Sequence, residues 1–443
     1  MEILMIPMEL NAKHALRRGL EVQKRRLFRR LLACPNGSLE RFLHEDERRL
    51  IVIVDGLPIH RRLIYRQLNQ VNEFPIRAKG VVMPTSMPLP THVSPDSTLR
   101  VKIGDACGLT CTFCHNEGTP VAQDNYGRNE GNFVTAGRSG RVSIYSATNG
   151  VSFVPARMPV DASFGEALAA LSDALGFTEV HLTGGEPTLH PEVDGLTRLA
   201  VEAGFRVGMT SNGENGAAVL PSCASAGLDR VNFSIFGTTP DELAEVQDAR
   251  FRNPGRAARK IAALKRSIQA CAESGVKATA NIVVPDYRHA ERVHRLLDEY
   301  SSDLSVRLLN SLDHGSTSVD AIERILRERG AVPVARYVTA GASSSRTAYR
   351  LPGERQVFFK QIRPVRLPDT CTGCRFNNGT DCQEGYYGVR LYYDNRGQYQ
   401  VGVCIQRMDL CLPIDKFLAS DMVAEIKALR DREWNRLVTQ RAG

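Results

Sequence analysis

The stretch LRVKIGDACGLTCTFC, Leu99–Cys114, decides how the rest of the chain is read. Its first half alternates apolar and polar residues, the pattern of a β-strand with one buried face. Its second half puts Cys107, Cys111 and Cys114 on the loop that follows, separated by gaps of three and two residues. Three sulfurs so close in sequence can converge on one small inorganic object. A structural zinc ion takes four protein ligands, and apart from His115, uncomfortably near in sequence, no fourth Cys or His stands at a customary spacing. An iron-sulfur cube also takes four, so three thiolates leave one iron open, and an open metal position is where a small molecule binds and reacts.

Downstream the strand pattern recurs five times, as EVHLTG (179–184), FRVGMTS (205–211), RVNFSIF (230–236), KATANIVV (277–284) and LSVRLLN (304–310). The segments between, such as FGEALAALSDAL and AARKIAALKRSIQACAESG, carry apolar residues at helical spacing and often finish in glycine. Six strand–helix repeats predict an α/β fold, a partial (βα)6 barrel with a mainly parallel sheet, over residues 98–315. Residues 118–158 interrupt it as an insertion, in which RVSIYSATNGVSFVP reads as a hairpin turning at Asn149 and Gly150 near the mouth of the sheet.

Residues 1–97 read as an N-terminal accessory module and linker. They hold a basic run, HALRRGLEVQKRRLFRRLL, a hairpin signal with Asp55-Gly56 at its turn, and the proline-rich MPTSMPLPTHVSPDS, which suits neither helix nor central strand. Residues 350–443 read as a C-terminal cysteine-rich domain. It contains GVRLYYDNRGQYQVGVC, two alternating runs around Asn395–Gly397, and a terminal helix opened by Ser420 or Asp421.

At 443 residues, with 42% hydrophobic and 24% charged residues, the chain has the composition of a soluble globular protein rather than a disordered or fibrous one. Its 57 basic against 49 acidic residues give +8, too small an excess to argue for nucleic acid by itself. No apolar run reaches the ~18 residues of a membrane span and no signal peptide opens the chain, so a cytoplasmic protein is expected. In that reducing compartment the clustering of eleven cysteines points to metal ligation, while Cys34, Cys223 and Cys271 stand alone as small buried hydrophobes.

Cys107, Cys111 and Cys114, with the aromatic Phe113 before the last cysteine, resemble the signature of the radical S-adenosylmethionine superfamily. Three further motifs fall at successive strand ends where that family would place them: Gly184, Gly185, Glu186 and Pro187; then Ser211, Asn212 and Gly213; then Ser234. The C-terminal edge of a parallel barrel is also where catalytic groups gather. The resemblance implies that the three cysteines hold a [4Fe-4S] cluster whose free iron chelates S-adenosylmethionine. Gly184 and Gly185 would let backbone approach that cofactor, Glu186 would accept from its ammonium, and Ser211, Asn212 and Ser234 would meet its ribose or carboxylate. An electron from an external one-electron reductant such as flavodoxin or ferredoxin would release a 5′-deoxyadenosyl radical that abstracts hydrogen from substrate. Phe236 departs from members that carry an aspartate there.

Cys371, Cys374, Cys382 and Cys404 form a second set, spaced for a zinc ribbon or an auxiliary iron-sulfur cluster. A C-terminal auxiliary [4Fe-4S] cluster is similar to what is found in the molybdenum-cofactor cyclase and in the SPASM and Twitch enzymes; Cys411 is a possible fifth ligand or a buried hydrophobe. The diglycine tail of the cyclase is absent and residues 1–97 have no counterpart in it. A nucleotide-like or specialised-metabolite substrate is therefore the first expectation, with Arg390, Arg396 and the arginines near 361–366 either contacting an anion or forming solvated surface. The alternatives are a peptide-modifying enzyme whose N-terminal module binds a leader peptide by strand addition, and a non-catalytic, metal-stabilised nucleic-acid-binding module.

Overall fold

The structure, a computed structural model, describes residues 3–5, 51–54, 57–60, 89–120, 143–145, 149–379 and 381–442. The chain divides into two compact units, Met1–Ser86 and Met87–Gly443. In the first, β1 (Ile3–Met5), β2 (Ile51–Val54) and β3 (Leu57–His60) make a sheet in that order, β1 parallel and β3 antiparallel to β2. Val54 pairs with Leu57, the register of a hairpin with a two-residue connection. The Asp55-Gly56 turn and the basic run at 14–32 lie outside the described residues.

The second unit is built on one mixed sheet. Strand β4 (Thr91–Pro95) is drawn from the proline-rich stretch and lies at the sheet's edge, where a proline without an N–H is tolerated. Six parallel strands then run side by side in chain order: β5 (Thr98–Lys102), β6 (Glu179–Thr183), β7 (Arg206–Ser211), β8 (Leu228–Ser234), β9 (Lys277–Val284) and β10 (Ser305–Asn310). Each lies where the alternation predicts it. Beyond β10 the sheet continues through β13 (Gln356–Ile362), β12 (Ser344–Arg350) and β11 (Val332–Ala340) to β4. On the other side, β14 (Arg390–Tyr393), β15 (Tyr399–Gly402) and β16 (Leu412–Pro413) follow β5 outward. Strands from beyond residue 350 therefore extend the same sheet as the six repeats.

Helices α1 (Ala162–Leu175), α2 (Val193–Glu202), α3 (Gly216–Ser225), α4 (Pro240–Glu245), α5 (Pro254–Glu273), α6 (Ala290–Glu299) and α7 (Gly315–Glu328) connect the strands, and α8 (Ile414–Leu418) and α9 (Asp421–Ala442) close the chain. Local chemistry sets their ends. Asp161 caps α1 by accepting from Ser163 N at 2.9 Å, and Gly176 ends it in a left-handed turn at φ +69°. At α9 the expected cap is not made by Ser420, whose hydroxyl donates to Phe417 O at 2.7 Å.

Because strand side chains alternate, the sheet has two unlike faces. Leu99, Val101, Val180, Leu182, Val207, Met209, Val231 and Phe233 pack with Phe164, Leu168, Leu196 and Leu220 of the helices in one apolar core. Arg100, His181, Arg230 and Arg307, one register step away, belong to the other face. The hairpin expected at 149–150 does not form among the described residues. Instead, the buried Asn149 amide donates to Gly118 O and to Ile405 O at 3.3 Å, and Asn149 O accepts from Met408 N at 2.7 Å. The insertion is thereby tied to the C-terminal region; residues 121–142 and 146–148 lie outside the described part.

Candidate active site

The cysteine loop leaves the top of β5 and is held by the loop after β6. Ile103 N donates to Thr183 O at 2.9 Å, Gly185 N to Gly104 O at 2.8 Å and Glu186 N to Ala106 O at 2.7 Å, so ladder-like pairing continues past both strands. This contact explains the two glycines. A Cβ on Gly184, itself at φ +152°, would lie 2.5 Å from Gly104 O, and one on Gly185 would lie 2.4 Å from Asp105 O. The close backbone they admit is thus that of the cysteine loop itself, a partner the sequence reading did not name.

Glu186 joins three motifs. Its buried carboxylate accepts from Thr188 N at 3.0 Å, Thr188 Oγ1 at 2.6 Å, Ser211 Oγ at 2.7 Å and Asn212 N at 2.6 Å. Burial pushes its pKa up against the pull of these donors. Pro187 follows as the first residue of a short 3-10 turn that Glu186 caps. Asn212 Nδ2 reaches Cys107 Sγ at 3.5 Å and Glu214 Oε1 at 3.2 Å. Ser234 ends β8 beside a small recess that Asn212, Leu109, Phe236 and Lys260 also line. Phe113 is half exposed and stands edge-on to Phe236 with ring centroids 5.3 Å apart. The structure therefore brings the sequence-predicted residues of all four motifs to one end of the parallel strands.

Several residues at this end carried no sequence signal. Gln247 Oε1 accepts from Thr110 N at 2.7 Å while its Nε2 donates to Cys111 Sγ at 3.5 Å, and Thr112 N bonds Val246 O at 3.0 Å. Glu214 accepts from Gly108 N at 2.6 Å and pairs with Lys260, and Arg256 donates to Gly108 O at 2.9 Å. These contacts clamp the loop on both sides of Cys111. Burial and the nearby Cys114 and Cys107 push the Cys111 thiol upward, a penalty that metal coordination of the thiolate would remove.

The second set of thiols, Cys371, Cys374, Cys382 and Cys404, lines one recess of about 440 Å³, part of it open to solvent, with Arg366, Leu367, Tyr386 and Arg407. None of the four is in a disulfide. Cys411 is not among them: it is buried against Met408, Tyr392 and Phe153 in a separate apolar cluster. Free thiols gathered on one loop or around one recess, with N–H groups directed at sulfur, are a donor set that fits iron-sulfur ligation. Among the described residues, no three His, Cys, Asp or Glu side chains are grouped as a single metal ion would need.

The polar face of the sheet carries a group of cations. Arg230 pairs with Glu179, Arg307 Nη1 donates to Asn232 Oδ1 at 3.1 Å, and Lys360 donates to the Tyr387 hydroxyl. Arg100 lies over the Tyr387 ring at 4.4 Å, and Arg346 over Tyr337 at 4.7 Å. Burial, then Arg346 and Arg230, bring Arg307 down to about 10, and its Nε is buried with no hydrogen-bond partner. Burial raises Tyr387, but Lys360 and Arg100 outweigh it and bring the phenol to about 8. Burial, with Arg100, Arg230, Arg307 and Lys360, keeps His181 neutral. Gly208 makes room here, since a Cβ on it would meet His181 Nδ1 at 3.0 Å and Arg230 Cζ at 3.2 Å.

The arginines that the sequence suggested for anions are committed elsewhere. Arg390 pairs with Glu117 at 3.4 Å, Arg363 binds Glu433 and Ala342 O, Arg366 binds Asn377 and the Cys382 carbonyl, and Arg396 is exposed on a turn. Arg396 matches the solvated surface that was the second of the two readings, whereas Arg390 is buried in its ion pair, a structural role that neither reading named.

Residues 101–299 match the family model of the radical SAM superfamily. A probable GTP 3′,8-cyclase of Aeropyrum pernix is 27% identical over 313 residues, covering 68% of this chain and 72% of the relative. The GTP 3′,8-cyclase of Chlorobaculum tepidum is 23% identical over 286 residues, covering 62% and 73%. A PqqA peptide cyclase of Ruegeria pomeroyi is 42% identical over 69 residues, 15% of this chain and 18% of that one. The crystal structure of Streptococcus suis SuiB covers 75% of this chain and 65% of its own with a TM-score of 0.42 and 14% identity. The reading as a non-catalytic nucleic-acid module is thereby set aside: the chain carries a radical SAM domain at residues 101–299 and is an enzyme, with a [4Fe-4S] cluster and S-adenosylmethionine as cofactors.

Proposed function

We propose that this enzyme takes a hydrogen atom from an anionic, nucleotide-like small molecule held on the polar face of the sheet, leading to its cyclisation, rearrangement or oxidation. The observation that carries the reading is the convergence of Arg100, Arg230, Arg307, Arg346 and Lys360, among which Arg307 is depressed by burial first and then by Arg346 and Arg230, while Glu179 supplies the partnering carboxylate. Buried like charges are unfavourable unless an anion offsets them, and planar guanidinium groups suit phosphate. The names of the Aeropyrum pernix and Chlorobaculum tepidum relatives, cyclases of GTP, agree with such a substrate.

In this reading the six chain-ordered strands form the expected partial (βα)6 barrel. Cys107, Cys111 and Cys114 hold the radical cluster, while Phe113, Gly184, Gly185, Glu186, Pro187, Ser211, Asn212 and Ser234 form the bed for S-adenosylmethionine. Cys371, Cys374, Cys382 and Cys404 hold an auxiliary cluster. When bound, the cofactor pair supplies a carbon-centred radical, after one electron arrives from an external reductant. The chain's own residues do the rest. Glu186 locks the loops after β6 and β7 together, Gln247 and Glu214 fix the cysteine loop, and the inner cations orient the substrate and neutralise its charge. Residues 1–86, rather than the expected 1–97, serve as an accessory module, since β4 belongs to the main sheet, and the enzyme works in the cytoplasm.

A second reading, a peptide-modifying enzyme, is favoured by the local similarity to the PqqA peptide cyclase and by the small sheet of β1 to β3, whose outer strands offer edges for strand addition. Reconstituted enzyme given S-adenosylmethionine and reductant, with GTP as probe, decides between them. Under the first reading GTP binds in equilibrium dialysis and the Arg307→Ala variant binds it at least about tenfold more weakly. Equal affinity in that variant, or no binding of GTP and tripolyphosphate alike, would overturn it.

A further inference from the structure

The second cysteine recess holds a cation that none of the roles above uses. Arg407 lines it together with the four thiols. On one side its guanidinium is fixed by Asp409, whose carboxylate accepts from Nε at 2.8 and 3.0 Å and from Nη2 at 2.7 Å. On the other it lines the recess that Cys374 also lines. Its backbone N–H, with that of Gln406, is directed at Cys404. One residue thus brings a fixed charged fork to the recess that the four sulfurs share. Arg366 adds a second guanidinium at the rim, anchored on Asn377 Oδ1 at 2.9 Å and on the Cys382 carbonyl.

We infer that Arg407, clamped by Asp409, is a positioning residue that raises the reduction potential of the auxiliary cluster. The inference rests on the reading of Cys371, Cys374, Cys382 and Cys404 as ligands of that cluster. An electron entering from the external reductant adds one negative charge to the cluster and its thiolates. A fixed cation and N–H donors at sulfur stabilise the charge-rich reduced form more than the oxidised one, so they move the potential upward. An arginine suits the task because its fork binds a carboxylate on one edge and leaves N–H groups free for sulfur on another.

The test uses the full-length chain with Cys107, Cys111 and Cys114 replaced by alanine, so that only the second site loads. After anaerobic reconstitution with iron and sulfide, the midpoint is read by potentiometric titration with electron paramagnetic resonance detection. Arg407→Gln at the same iron content shifts the midpoint to more negative potential, and Arg407→Lys shifts it less. An unshifted midpoint in fully loaded Arg407→Gln overturns the inference; should that variant not load, Arg407→Lys carries the test and an unshifted value there overturns it equally. Zinc without iron in the parent chain would instead remove the auxiliary-cluster reading, and this inference with it.

Discussion

The two cysteine sites differ in how they are made. Cys107, Cys111 and Cys114 sit on one loop that continues a central strand, and the loop is pinned by backbone pairing through Gly184 and Gly185, where no side chain fits. Cys371, Cys374, Cys382 and Cys404 are gathered from a longer irregular segment and the end of a hairpin, and a Cβ on Gly373, between the first two, would meet nothing within 4 Å. One site is built into the sheet; the other is assembled beside it. The difference follows from the number of thiols: three leave a position open for a reacting cofactor, which must be held in one place, whereas four can enclose a cluster whose surroundings need only tune it.

The largest effect should separate the sites outright. Cys111→Ala lowers cleavage of S-adenosylmethionine to 5′-deoxyadenosine by on the order of a thousandfold or more, while iron at the second site stays. Cys374→Ala should do the reverse, sparing cleavage and emptying the second site. Wild-type enzyme holding two cubes carries roughly eight iron atoms, and the all-alanine version of either set carries about half as many. Loss of iron from both sites in either variant would show that they are one coupled unit, and the contrast drawn above would fail.

Next in size is the contrast between two glycines. Gly185→Ala pushes a methyl group into the Asp105 carbonyl 2.4 Å away, so the cysteine loop must move; a loss of about 2–4 kcal/mol in unfolding free energy is expected, with poorer loading of the first cluster. Gly373→Ala, with open space around it, should change stability by less than about 0.5 kcal/mol. Denaturant titration of both variants measures this. Similar costs at the two positions would mean that the first site is no more tightly built than the second.

What the sequence reveals follows the same division. The six strands were legible because alternation with period two reflects one apolar and one polar face, and the four motifs were legible because each sits at a strand end. The reason for Gly184 and Gly185 was not: glycine signals a close approach without naming the partner, which here is the chain's own backbone. Gln247 and Glu214 were hidden because they meet the cysteine loop at sequence separations of 136 and 106 residues, and Lys260 because it acts through Glu214. The inner cations were hidden too, since Arg100, Arg230, Arg307 and Lys360 each look like an ordinary polar position of an alternating strand. Helix α7 and strands β11 and β12 went unassigned for want of clear bounding signals. Cys411 could not be sorted from Cys404 by spacing, and only its burial against Met408 and Tyr392 distinguishes them.

The cationic face of the sheet gives a smaller, spectroscopic effect. Tyr387 lies five residues after Cys382 yet faces Arg100 of the strand that leads to Cys107. With its phenol held at about 8 rather than the ordinary ~10, it ionises about two units early. The folded value is the depressed one, so its contribution to stability is fully present above about pH 10 and lost as pH falls through about 8. Absorbance of tyrosinate should show one group titrating near pH 8, absent in Tyr387→Phe. Tripolyphosphate bound to the cations would offset their field and return the group toward ~10. A titration indifferent to the polyanion would detach this surface from substrate binding and leave the two cysteine sites with nothing shared between them.

The smallest effect concerns the thiol that the second site leaves out. Cys411 Sγ packs 3.8 Å from Met408 Sδ, and its thiol is pushed up to about 12 by burial first and then by Cys404. Such a group is poorly suited to act as a thiolate unless a metal draws it out, and it lies among aromatic and thioether neighbours rather than along the recess that the other four share. Cys411→Ala should therefore keep the iron content and spectrum of wild type while lowering stability by about 1 kcal/mol, the scale of losing one small buried side chain. Cys404→Ala, only seven residues away, should lose the second cluster altogether. If Cys411→Ala lost iron as well, the second site would have five thiols competing for four places, and its contrast with the three-thiol loop would become one of ligand exchange rather than of enclosure.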